Sequence, residues 1–75
     1  SNSSEELFNE CYNSSDEHSL ERVRKLIVEE GANANWQNKD NNNYTGLMRA
    51  CIESHVETVK YLITTVDTIN VNIVN

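Results

Sequence analysis

Apolar residues along this chain fall into short clusters separated by polar stretches rich in Asn, Asp and Ser. The strongest cluster is Leu20, Val23, Leu26 and Ile27, at spacings i, i+3, i+6 and i+7, with Arg22, Lys25 and Glu29 turned the other way. That is one face of an amphipathic helix. Gly31 follows the last apolar position and suits a C′ residue, because without a Cβ it takes a left-handed backbone freely. Upstream, Ser3 and Glu6 are spaced as a capping box, and Leu7, Phe8, Cys11 and Tyr12 form a short apolar face behind them. The first unit is thus predicted as two antiparallel helices, about 4–13 and 19–30, joined by a polar turn over 14–18.

Residues 32–44 carry no helical period and are dense in Asn and Asp, which suit turns and positive φ, so a hairpin-like loop is expected there. Thr45 is placed to N-cap a further helix bearing Leu47, Met48, Ala50, Cys51 and Ile52. Val56, Val59, Leu62 and Ile63 then repeat the spacing of Leu20, Val23, Leu26 and Ile27, and the alternation in 69–73 reads as extended.

The chain repeats itself. Val23 falls on Val59, Leu26 on Leu62 and Ile27 on Ile63, each 36 residues on, while Leu7 falls on Leu47 and Cys11 on Cys51, each 40 on. The two offsets differ by loop lengths, which a repeat tolerates. One helix–turn–helix–loop unit is therefore present twice.

Composition narrows the function. The chain has 75 residues, 6 Lys+Arg against 12 Asp+Glu, and a net charge of −6, which disfavours nucleic acid and anionic membrane surfaces. Two Cys, two Gly and no Pro exclude a disulfide-dense or collagen-like scaffold. No apolar run approaches the roughly 18 residues of a membrane span. Neither a basic start nor an apolar stretch marks the N-terminus as a signal peptide, so the expected location is intracellular, cytoplasmic and nuclear being indistinguishable.

Order and spacing of the motifs resemble the ankyrin repeat family, whose period is about 33 residues. Thr45-Gly46-Leu47-Met48-Arg49-Ala50-Cys51, Ser54-His55 and Val59-Lys60-Tyr61-Leu62-Ile63 match its helical motifs, and Gly31-Ala32-Asn33-Ala34-Asn35 is close to its G-A-D-V-N. The resemblance implies an all-α helical solenoid of about two repeats: a capping-like repeat over 1–35, a second repeat over 36–67, and the start of a third repeat's finger over 68–75. It also implies the N-terminal part of a longer array. Departures are Gly46 for the family's Pro, Met48 for the His that commonly bonds the Thr and ties neighbouring repeats, Asn43 for the hairpin Gly, and a loop about two residues longer than usual.

Function follows from the same resemblance. The family binds protein partners along a concave face of finger tips and first helices, which here maps to Trp36, Gln37, Lys39, Asp40, Tyr44, Arg49, Ile52 and Glu53. Trp36 and Tyr44 are the sharpest candidates as amphipathic aromatics, although Trp36 is equally placed to cover the hairpin base of its own repeat. Cys11 and Cys51 fall where the family buries a small residue. Their spacing of about one helix-packing distance, ~8–10 Å, is too wide for a disulfide. His55 matches a structural turn His, and His18 is expected to be solvated.

No catalytic constellation, cofactor motif or zinc spacing is present, so the chain is read as a non-enzymatic interaction segment without cofactors. The alternative is a structural N-terminal cap of a longer solenoid, with the binding surface or an attached catalytic domain elsewhere in the parent chain. Uncovered apolar residues at the C-terminal end, in either case, point to homo-oligomer formation through that end.

Overall fold

A computed structural model of the chain describes residues 2–13 and 17–65. Its element order is α1 (Ser3–Asn13), α2 (Glu17–Val28), α3 (Gly46–Ile52) and α4 (Val56–Thr65). Helices α1 and α2 form the first unit and α3 and α4 the second. Helix α1 packs against both α2 and α3, α3 against α4, and α2 against α4. The expected extended segment 69–74 and the finger over 68–75 lie outside the described residues, as does the middle of the 14–18 turn.

The apolar period decides the packing. Leu7, Cys11, Val23, Leu26, Ala34, Leu47, Ala50 and Leu62 make one core, flanked by half-buried Ile27, Ala32, Val59 and Tyr61. The core therefore runs through both units, as a repeat stack requires when no unit can close its own.

Helix ends follow local chemistry, with some shifts from expectation. Asn2, not Ser3, caps α1: its Oδ1 accepts from the Ser4 and Glu5 backbone N–H groups at 2.9 and 3.3 Å. Helix α2 begins at Glu17, two residues before the expected Ser19. Gly31 takes φ +68 after α2, and the Ala32 N–H returns to the Leu26 carbonyl at 3.0 Å. Thr45 caps α3 as expected, accepting from the Met48 N–H at 3.2 Å. Helix α3 ends in a Schellman arrangement, with Ser54 at φ 62 and the His55 N–H bonded to the Ala50 carbonyl at 2.9 Å.

Candidate protein-interaction face

Between the units the chain forms the expected hairpin-like loop, closed by an antiparallel bridge between Asn38 and Tyr44. Three asparagines build its tip. The Asn38 N–H bonds the Tyr44 carbonyl at 2.9 Å, and the Asn38 Oδ1 accepts from the Asp40 N–H at 2.9 Å. Asn42 and Asn43 supply φ of 56 and 58, a left-handed backbone that Asn tolerates better than most side chains. Gln37 is held within the loop, donating from Nε2 to the Asn43 carbonyl at 3.1 Å. Lys39 and Asp40 project into solvent, and Tyr44 is half-buried.

Trp36 faces inward. Its ring meets Phe8 of α1 edge-on, centroids 6.1 Å apart at 75°, and Phe8 meets Tyr12 edge-on at 6.2 Å. An aromatic ladder thus joins the hairpin base to α1, which is the packing role that sequence reasoning left open for this indole.

On α3 the candidates divide. Ile52 is 52% exposed, a large apolar side chain left in water, and Glu53 beside it is exposed. Arg49 is instead engaged within the molecule. Its Nη2 donates to the Tyr12 hydroxyl at 3.0 Å and to Glu53 Oε2 at 2.7 Å, and its guanidinium carbon stands 4.1 Å from the centroid of the Tyr12 ring. His55 reaches the same tyrosine, with Nε2 3.0 Å from the Tyr12 carbonyl oxygen. A carbonyl only accepts, so Nε2 carries the hydrogen. Sequence reasoning did not single out Tyr12: its partners lie 37 and 43 residues away, beyond any local pattern.

The thiols part company. Cys11 is fully buried, and burial pushes its pKa from the usual 9.0 up to about 12, with Glu10 nearby adding to the rise. Cys51, expected to be buried, is exposed. The reason lies in the stack: Cys11 is covered by Gly46 of the next unit, whereas no described unit follows Cys51. Both thiols are free. His18 is exposed, as expected. Among the described residues no group of three or more His, Cys, Asp or Glu could hold a metal ion, and no helix is long and apolar enough to cross a membrane.

The two ends of the stack differ in chemistry. On the side of α1 turned away from Gly46, a groove of about 400 Å³ is lined by Glu6, Asn9, Glu10, Arg22, Lys25, Leu26 and Glu30, and Arg22 pairs with Glu10 at 3.0 Å. On the far unit, Val56 is 58% and Ile63 55% exposed. Ile63 is the counterpart of Ile27, which is half-buried against the core in the first unit.

One comparison bears on this architecture. The family model described as ankyrin repeats, in three copies, matches residues 11–75. No curated protein and no solved structure matches the chain. That match covers most of the sequence, including the whole of the second helix pair and all but the first turns of the first. Members of the family are generally protein–protein interaction modules and are typically non-catalytic. A stacked pair of helix–turn–helix units joined by a hairpin and bearing these motifs is a stretch of ankyrin repeats, and this chain belongs to the ankyrin repeat family.

Proposed function

We propose that the chain is an intracellular scaffold or adaptor segment that binds a protein partner through the hairpin tip and the first helix of the second unit. The observation that carries this reading is Ile52, 52% exposed on α3 beside the solvent-facing Glu53. An exposed isoleucine flanked by a carboxylate supplies an apolar anchor with a polar rim, the composition from which binding hot spots are built. Lys39 and Asp40, exposed on the hairpin, and half-buried Tyr44 are the further contacts of this reading. Arg49 contributes less to a partner, since its Nη2 is already engaged by Tyr12 and Glu53, and Trp36 and Gln37 support the loop from behind. Capture of a partner by the wild-type chain, compared with a Tyr44→Ala/Ile52→Asp variant of unchanged helical content, tests the reading. Equal capture by both would remove it.

A second reading has its own observation. A groove of the first unit is lined mainly by charged side chains and carries the Arg22–Glu10 pair, although Val28 of that unit is exposed, whereas the second unit leaves both Val56 and Ile63 in water. A polar outer face is what a terminal repeat needs for solubility, so the first unit acts as an N-terminal cap and the array grows from the second. On this reading 1–35 is the cap, 36–67 the first full repeat and 68–75 the start of a third finger. Both roles are compatible in one segment.

A further inference from the structure

Val56, Lys60 and Ile63 fall at i, i+4 and i+7 of α4, one stripe on the side opposite the buried Thr58 and Leu62. Val56 and Ile63 are large apolar side chains in water, and half-buried Val59 borders them. Along the other margin Lys60 pairs with Glu57 at 3.7 Å, both well exposed. The same pattern stands 36 residues earlier as Leu20, Glu21, Arg24 and Ile27, with Arg24 paired to Glu21. There α4 packs against α2, and Leu20 and Ile27 are half-buried. In this chain, then, a stripe of this composition lies beside a packed helix. We propose that the stripe on α4 takes α4 of a second copy, antiparallel about a two-fold axis, giving a closed dimer.

The spacing favours this arrangement. With the axis passing between Val59 and Lys60, Val56 of each copy lies opposite Ile63 of the other, because the two positions are equidistant from that midpoint. Glu57 and Lys60 share one margin of the stripe, and the rotation brings both margins to the same side. Lys60 then stands about 3 Å along the helix from Glu57 of the second copy and about 4.5 Å from its own. Each ammonium gains a second carboxylate, which offsets the approach of the two lysines near the axis. Head-to-tail stacking has no such match. The groove of the first unit is lined mainly by charged side chains, so Val56 and Ile63 would be buried against charge. A helix of 10 residues is about 15 Å long, well short of a standard interface, so the dimer is weak. This pairing does not depend on the contact face around Ile52.

Disulfide trapping reads the register. Two chains, both in a Cys51→Ser background that leaves only buried Cys11, carry Val56→Cys and Ile63→Cys respectively. In the two-fold dimer, positions 56 and 63 of opposite copies adjoin. Like positions lie about 10 Å apart along the helices, beyond the roughly 4.4–6.8 Å that a disulfide spans between Cα atoms. Mixed under mild oxidation, the two chains are expected to form the 56–63 disulfide about fivefold faster than either like pair. Sedimentation of the parent chain from about 10 µM to about 1 mM should show mass rising towards that of a dimer and levelling there. Disulfides formed equally between like and unlike chains overturn the proposal, as does a mass that climbs past the dimer or never leaves the monomer.

Discussion

Gly46 sits so close against Cys11 that a Cβ added to the glycine would lie 2.9 Å from the cysteine's Sγ and 3.2 Å from its Cβ. A side chain at 46 would compete with the thiol for one small space. Gly46→Ala is expected to destabilise the chain by about 1–3 kcal/mol through overpacking, against a helix-propensity gain of at most about 1 kcal/mol. Cys11→Ala should suppress part of that loss, giving a clear coupling in a urea double-mutant cycle. Additive effects would mean the boundary is looser than the geometry states.

The buried thiol also makes stability depend on pH. Folding raises the Cys11 pKa from 9.0 to about 12. Between those values the unfolded chain has released a proton that the folded chain retains. The stabilisation is therefore fully present below pH 9 and is lost as pH rises towards 12, by at most about 1.4 kcal/mol per unit. Urea midpoints measured under reducing conditions from about pH 8.5 to about 10.5 should fall more steeply for the parent than for Cys11→Ala. Parallel slopes would place the thiol in water. At neutral pH, exposed Cys51 should react with an alkylating reagent long before Cys11 does.

Ser54 holds a position that favours glycine. At φ 62 it closes the Schellman end of α3, the same left-handed geometry that Gly31 provides at φ 68 after α2. Ser54→Gly should raise stability by about 1 kcal/mol, read as a higher urea midpoint with unchanged helical content. A lower midpoint would mean the serine side chain contributes more than its backbone costs.

Much of this fold was legible from spacing. Leu7, Phe8, Cys11, Val23, Leu26, Leu47 and Leu62 all sit in the interior, where the helical period placed them. Thr45 caps α3 and Asn43 takes positive φ, because each depends on neighbours a few residues away. What sequence could not reveal depends on distant groups. Cys51 and Cys11 occupy equivalent positions, and only the presence of a following unit decides which is covered. Tyr12 looked like one more apolar-face residue, yet it takes polar contacts from Arg49 and His55 of the second unit. Trp36 was undecided until Phe8 was placed against it.

The exposed Val56 and Ile63 bear on association. Burying them against a second copy would contribute part of the about 1.5–3 kcal/mol that a fully buried side chain of this size is worth. The chain is expected to self-associate through this side, with weight-average mass rising across a concentration series in sedimentation. Ile63→Asp should return it to monomer. A parent chain that stays monomeric at the highest concentration would show that this side does not pair.

Partner capture by two single-face variants, run side by side with the wild-type chain, separates binding from stacking. Ile52→Asp alters the proposed contact face beside Glu53, and Ile63→Asp alters the far side of α4, each at a side chain already more than half exposed, so both should stay folded. The interaction reading requires that Ile52→Asp lose the partner about tenfold or more in affinity while Ile63→Asp keeps it. Retention by Ile52→Asp together with loss by Ile63→Asp would contradict it and leave the chain as a cap whose working surface lies on the α4 side.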